Sequence, residues 1–491
     1  MRRVSTRLIM TLAIVLTACN GGADHGPSPT TIALFQADAT YVGRNTSVTL
    51  SWRVDNPGSA GDGSPCSITR RAEHHDPEEP FPVACTGSLT EVPPAPSTAT
   101  YLRYQLNALR QSFESGDAYV TQVLTIDVAD PGDLLWSTQI DSGDRDYVAG
   151  VAIDGAGFPI VAGQTYGGLA GANAGSADAF VRRYTPLGNA DWTRQFGFAG
   201  WDRASGVAVD ANDDVVVIGD LDGCAFTRKY TPSGVEQWTR RPCMDDFSIA
   251  VTTDAANNVF TVVERTDFDF DFEDGELELR SYSAAGSERW STRIGYYDDW
   301  VRSMATDRDG NIIVAGTYDY GYGVYVRKYD ANGQFVWSYF FDGDSDYAAA
   351  GGVAVDREGD VVVVGTVEMY DGSWRDDIFV IRLSPSGTPI WTRVFGTSGN
   401  EHAGGVAVDG NGHVIVAGST TGNLARPPVG LRDVFVRKYD ANGTEVWTRQ
   451  FGFNESDWAR GVAVGERGVI VVAGDTFGGP SISGFVAKLA R

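Results

Sequence analysis

Ala403-Gly-Gly-Val-Ala-Val-Asp-Gly-Asn-Gly-His-Val-Ile-Val-Ala-Gly418, taken with Asp433-Val-Phe-Val-Arg-Lys-Tyr-Asp-Ala-Asn-Gly-Thr-Glu-Val-Trp-Thr-Arg-Gln-Phe451, is one unit whose strands are legible in its letters. A strand from Ala403 to Asp409 turns at Gly410-Asn411-Gly412 and returns as His413 to Gly418. Glycine supplies the positive φ such a turn needs. A third strand, Asp433 to Tyr439, turns at Asp440-Ala-Asn-Gly443 and returns as Val446 to Phe451. Four short antiparallel strands in succession make one propeller blade. The first two are apolar without alternation, the pattern of strands covered on both faces.

The unit recurs. Its fourth-strand tryptophan stands at Trp136, Trp192, Trp238, Trp290, Trp337, Trp391 and Trp447. A strand-rich repeat of about 50 residues specifies a propeller, solenoid or array. The last unit supplies Gly461 to Val464, Val469 to Gly474 and Gly484 to Leu489 but no fourth strand. Leu134 to Ile140 is a fourth strand without its first three. The two should complete one blade, so residues 134–491 are expected to form a closed seven-bladed ring with no unfinished edge. The phrases Gly405-Val-Ala-Val-Asp409, Val414-Ile-Val-Ala-Gly418 and Phe435-Val-Arg-Lys-Tyr439 resemble the SBBP-type seven-bladed β-propeller repeat of bacterial secreted and surface proteins. The resemblance implies a fold and no particular activity. Blades 2, 3 and 5 are degenerate; blade 3 has Val251-Thr-Thr-Asp254 in its first strand.

Residues 1–18 read as a targeting segment. Arg2, Arg3 and Arg7 precede the apolar run Leu8 to Leu16, which is too short to span a bilayer. Leu16-Thr17-Ala18-Cys19 resembles a bacterial lipoprotein box, which implies lipidation of Cys19. Asn20 is not the aspartate tied to inner-membrane retention, so an exported outer-membrane lipoprotein is expected, facing the periplasm or the surface. Residues 19–30 read as a flexible tether. Residues 31–129 carry the alternating stretches Val48 to Val54 and Ala118 to Val128, and suggest an immunoglobulin-like β-sandwich. The fold class is therefore all-β, a propeller preceded by a small sandwich.

Export makes disulfides plausible among Cys66, Cys85, Cys224 and Cys243, with three pairings possible. Cys224 and Cys243 sit about equally far from the turn Thr231-Pro-Ser-Gly234, so they should face each other across a hairpin. Cys66 and Cys85 would then pair. Glu73-His-His-Asp-Pro-Glu-Glu79 reads as a solvated acidic loop, because consecutive ligands on one loop rarely converge on a metal.

The net charge of −25 disfavours nucleic acid, whose phosphates need clustered Lys and Arg. It also disfavours adhesion to anionic lipid, so membrane contact is expected through the lipid anchor alone. A monomer is expected. No cofactor or metal motif is present; Asp307-Arg-Asp-Gly310 resembles only a fragment of a calcium loop.

Function on a rigid scaffold concentrates in variable loops. Turns after first and third strands are short and uniform, opened by Asp154, Asp210, Asp254, Asp307, Asp356 and Asp409. Connections on the other rim are long and varied, including Asp267 to Asp274, Tyr318 to Tyr322 and Tyr370 to Asp376. Just before each first strand stands an acid: Asp146, Asp202, Asp246, Asp299, Glu401 and Asp457, with Asp346 two residues further out. Beside them stand Tyr147, Trp201, Phe247, Trp300, Tyr347, His402 and Trp458. One reading makes the acids acceptors for backbone N–H groups. The other makes acids and aromatics a ligand-binding ring at the channel mouth. Glu401 and His402 could serve as an acid/base pair, and carboxylate pairs could serve glycoside hydrolysis, but no nucleophile elbow, phosphate loop or zinc motif is present. The preferred function is a lipid-anchored envelope protein whose propeller binds a protein or glycan partner; the runner-up is a glycan hydrolase or lyase at the mouth.

Overall fold

In the computed structural model, the chain divides into two units, Met1–Pro131 and Gly132–Arg491. Described in the first are residues 31–37, 41–43, 48–55, 66–72, 81–84, 86–91, 101–109, 119–129 and 131. In the second they are 132–491 without 243–245, 266–275, 297–298, 319–321, 344–346, 371, 454–455, 467 and 479–480. The expectations for Cys19, the targeting segment, the tether and the loop from Glu73 to Glu79 fall outside these residues. So do those for Cys85, Cys243, Asp346 and the run from Asp267 to Asp274.

The first unit holds two sheets. One orders Thr31–Ala37, Val48–Asp55 and Thr86–Glu91; the other orders Tyr41–Gly43, Tyr119–Ala129, Tyr101–Leu109, Cys66–Ala72 and Phe81–Val83. Trp52, Val54 and Ile68 are buried, and the Trp52 indole donates to Ala84 O at 2.6 Å.

The second unit is a ring of seven four-stranded sheets, six of them with their strands in chain order from the inside out. Blade 1 spans residues 146–196, blade 2 203–240, blade 3 246–296, blade 4 300–341, blade 5 348–395 and blade 6 401–451. Blade 7 joins Ser456–Val464, Ile470–Phe477 and Ile482–Leu489 to Leu134–Ile140, as the sequence predicts. First strands of successive blades touch around the full circle. The closure rebuilds a normal turn from two separate pieces of chain. Gly132 N donates to Ala490 O at 3.1 Å and Ala490 N to Asp133 O at 2.8 Å. In blade 6 the continuous turn does the same, Gly443 N to Asp440 O at 3.0 Å and Asp440 N to Thr444 O at 2.8 Å.

The repeated letters now have causes. Second strands such as Val414–Thr420 are buried along their whole length. Their valines pack on one neighbouring blade and then the other, each worth about 1.5–3 kcal/mol when fully buried. One core cluster, for example, joins Val362, Val364, Ile378 and Val380 of blade 5 to Val406, Val414, Val416 and Phe435 of blade 6. Gly418 lies opposite Phe435 in the ladder, and a Cβ on it would sit 2.6 Å from that ring. The glycine therefore makes room for the aromatic.

The tryptophans bridge blades. Trp391 Nε1 donates to Ala441 O of blade 6 at 3.1 Å, and its ring covers Gly443. Gly443 has φ +77°, and a Cβ there would lie 2.8 Å from Trp391 Cδ2. The same indole-to-turn bond is made by Trp136, Trp192, Trp238, Trp290 and Trp337. Trp447 of blade 6 packs on Gly132, so the last bridge crosses the closure.

The turn aspartates cap their own turns, as expected, and also do something the sequence reading missed. Asp409 Oδ1 accepts from Asn411 N at 2.9 Å and His413 N at 3.1 Å, while Oδ2 takes Lys438 Nζ at 3.0 Å. Arg183, Lys229, Lys328 and Arg382 meet Asp154, Asp210, Asp307 and Asp356 in the same way. Burial raises the Asp409 and Asp307 carboxyls, but hydrogen bonds from their lysines and turn partners outweigh it and hold both below the usual range.

Candidate functional site

The sequence puts an acid and an aromatic side by side at each first strand, and the strand sends them to opposite destinations because successive side chains alternate. Asp146, Asp202, Glu401 and Asp457 are fully buried. Each accepts the backbone N–H four residues before it. Ser142 N reaches Asp146 at 2.7 Å, Phe198 N reaches Asp202 at 2.6 Å, Thr397 N reaches Glu401 at 2.8 Å and Phe453 N reaches Asp457 at 2.8 Å. Asp202 also accepts from Asp222 N at 2.7 Å, and Glu401 from the Thr420 hydroxyl at 2.5 Å. Asp299 takes Arg327 at 2.8 Å. Burial pushes the Asp146 and Glu401 carboxyls upward against these bonds.

Asp146, Asp202, Glu401 and Asp457 are therefore turn-closing acceptors, the first of the two readings the sequence offers for them. Glu401 is fully buried on Thr397 and Thr420, whereas His402 is partly exposed and faces Asp376. The strand Asp246–Thr253 begins at Asp246, whose side chain is outside the described set.

The aromatics stay at the surface. Trp201 is 64% exposed, Trp300 42% and Tyr347 39%. Tyr147, Tyr166 and Trp201 form an edge-to-face chain with ring centroids 6.2 and 5.6 Å apart. In blades 6 and 7, His402 stacks on Trp458 at 5.3 Å and 22°, and the Arg432 guanidinium lies 4.0 Å from the Trp458 centroid. His402 Nδ1 is 3.7 Å from Asp376. Burial, then the nearby Arg432 charge, hold the imidazole below its usual value against the pull of Asp376.

Two features create a cavity of about 500 Å³ here, lined by residues of blades 4 to 7. The ladders pair Tyr147, Trp300, His402 and Trp458 with the same second-strand position that in blade 5 pairs with Ala349. The missing aromatic leaves space. Moreover, every first strand has a β-bulge at one common place. Its extra residue is Gly351 in blade 5 and Gly404 in blade 6, but Arg302 in blade 4 and Arg460 in blade 7. Bulges re-aim side chains, and both arginines line the cavity together with Gly351, Tyr347 and Trp458.

Among the described residues, blade 5 also carries the longest second-to-third-strand hairpin, Val361–Tyr370 with Trp374–Leu383. Its extension places Glu368 and Asp376 on the cavity wall and an exposed Tyr370–Trp374 pair, centroids 4.8 Å apart, near the tip. The residue numbers of this hairpin match the varied connection the sequence singled out. Arg302, Glu368 and the vacancy at Ala349 are the site residues that sequence reasoning missed; a position-by-position alignment of the blades would have exposed them.

A further row of side chains locks blade to blade beneath the rim. Asp475 Oδ1 accepts from Val148 N at 2.8 Å, Asp220 from Ser248 N at 3.2 Å, Thr317 from Ala350 N at 3.0 Å, Thr366 from Ala403 N at 3.2 Å and Ser419 from Ala459 N at 3.0 Å. Burial raises the Asp475 and Asp220 carboxyls, opposed by Arg460 and Arg203 respectively. Among the described residues no group of three or more His, Cys, Asp or Glu is placed to hold a metal. No helix among them is long and apolar enough to cross a membrane.

This is a seven-bladed β-propeller protein, all-β by its sheets. The family described as SBBP, beta-propeller repeat, matches residues 289–317, the outer strand of blade 3 and the first two strands of blade 4. An uncharacterized WD repeat-containing protein of Acanthamoeba polyphaga mimivirus is 24% identical over 229 residues, 33% of this chain and 16% of that protein. Regulatory protein FlaEY of Caulobacter vibrioides is 33% identical over 109 residues, 20% of this chain and 11% of its own length. The chain thus spans a small part of these curated relatives. The WD40 domain of Neurospora crassa Pan2 is similar with a TM-score of 0.48 and 9% identity, over 74% of this chain and 96% of that one.

Proposed function

We propose that this chain is a lipid-anchored envelope protein whose propeller is a binding module, and that the blade 4 to 7 cavity receives a glycan. Anchoring at Cys19, outer-membrane location, an immunoglobulin-like first domain and pairing of Cys66 with Cys85 and of Cys224 with Cys243 belong to the same proposal. Disulfides at Cys66 and Cys224 fit passage through an oxidising compartment. The observation that carries the binding reading is the division of labour at the rim. Buried acids hold the backbone, while aromatic rings and unburied polar groups surround a concave site on a rigid ring. Sites of this kind combine apolar walls with a few placed polar groups. Aromatic faces suit the apolar face of a sugar, and Glu368 and Asp376 suit its hydroxyls. A protein partner is the other occupant considered, and a hydrolase or lyase activity at the mouth is the runner-up.

A glycan array probed with the purified chain tests this. Binding that disappears in Tyr347→Ala and Trp458→Ala, with melting curves unchanged, supports the reading. Release of cleaved products from the bound glycans would replace it with the enzyme reading, and an array with no bound member would overturn it.

A further inference from the structure

The charges lining the cavity divide unevenly between those already satisfied and those left over. Arg460 Nε is bonded to Asp475 Oδ2 at 2.7 Å, and Asp376 faces His402. Arg302 is exposed and makes no hydrogen bond or ion pair with any described residue. No ion pair or side-chain hydrogen bond engages the Glu368 carboxylate among them either; its backbone N donates to Tyr347 O at 2.9 Å. A guanidinium held at a bulge beside a cavity, in a chain of net charge −25, is the group a ligand anion would meet. Its planar fork matches a carboxylate in bidentate fashion, worth roughly twice a neutral hydrogen bond.

We propose that the cavity takes a uronic acid residue, its carboxylate on Arg302, its hydroxyls toward Glu368 and Asp376, and its ring between Tyr347 and Trp458. The inference rests on the glycan reading above and narrows it. The overall negative charge sets a second condition. A densely charged polyanion is repelled by the field of the whole protein, so the ligand is a glycan with isolated carboxylates among neutral sugars. The same bulge carries glycine in blades 5 and 6 for a steric reason: a Cβ on Gly351 would lie 2.7 Å from Ala403 Cβ, and one on Gly404 would run into Ala459 O, so the next blade packs too closely for a side chain there.

The test compares two small saccharides by calorimetry on the full chain: aldotetraouronic acid, a glucuronic acid carried on xylotriose, and uncharged xylotetraose. The acidic compound is expected to bind at least tenfold more tightly. Arg302→Gln should erase that difference with an unchanged melting curve, and Arg203→Gln, across the ring, should not. Equal affinities, or a preference that survives Arg302→Gln, would overturn the uronate inference while leaving glycan binding intact. If neither saccharide nor any array glycan binds, the underlying glycan reading fails as well. A short peptide that binds through its terminal carboxylate, lost in Arg302→Gln while both saccharides fail, would overturn the proposal in favour of a peptide ligand.

Discussion

In blades 1, 2, 4, 5 and 6 a base on the third strand reaches the aspartate that opens the first turn. In blade 7 the base is Lys488 and the turn opens with Gly465, which keeps the same backbone bonds, Gly465 N to Val469 O at 2.9 Å and Gly468 N to Gly465 O at 2.8 Å. Lys488 is 4% exposed and donates to Pro186 O at 2.8 Å. Burial pulls its pKa from 10.5 to about 8. At about 1.4 kcal/mol per pH unit, that burial costs about 3 kcal/mol when the ammonium is charged. Gly465→Asp supplies the carboxylate the other blades have.

Part of the gain is offset by desolvating the new charge, so we expect stabilisation of about 1–2 kcal/mol at pH 7, read from urea unfolding. Gly465 is not in the positive-φ set, and its added Cβ would meet only the Ile153 Cδ1 methyl tightly, at 3.0 Å. Gly465→Ala measures that crowding and Gly465→Asn removes the charge. The pH dependence follows from the sign of the shift. The folded pKa of Lys488 lies below the unfolded one, so its penalty is complete below pH 8 and disappears as pH rises from 8 to 10.5. The advantage of Gly465→Asp over wild type should shrink over the same window. An advantage of equal size at pH 7 and pH 10.5, or a loss at pH 7 where Gly465→Ala is neutral, would refute the reasoning.

Other outcomes follow from the same contacts. Gly443→Ala should cost about 2 kcal/mol or more, because the new Cβ meets Trp391 and the positive φ alone costs about 1–2 kcal/mol; a chemical denaturation series checks it. Asp202→Ala leaves the amides of Phe198 and Asp222 without their acceptor, at about 1–3 kcal/mol per buried orphan, and should lower stability without changing ligand affinity per folded molecule. Deleting residues 484–491 removes the strand that joins Leu134–Ile140 to the ring, so calorimetry should show the whole propeller destabilised in one transition. His402 is held below its usual pKa of 6.5; it should be neutral at pH 7, its ring NMR shifts flat from pH 7 upward, with protonation confined to more acid conditions.

The fold was legible in the sequence because a propeller repeats its physics seven times. The Val-Ile-Val-Ala-Gly strand, the Asp-Ala-Asn-Gly turn and the tryptophan each answer a local steric demand, so even the blade shared by Leu134–Ile140 and Ile482–Leu489 could be counted from letters alone. The rim was less legible. An acid and an aromatic adjacent in sequence look like one motif, yet the strand sends Asp457 inward to the Phe453 amide and Trp458 outward to the cavity. Of such a pair the acid is structural, while Trp458, like Tyr347 and His402, lines the cavity. What the tertiary structure alone decided is the asymmetry: an alanine at 349, a bulge that turns Arg302 toward the space it leaves, and a lengthened hairpin that raises Glu368 beside it. Those residues lie on different blades, far apart in sequence, and closure of the ring is what places them around one cavity.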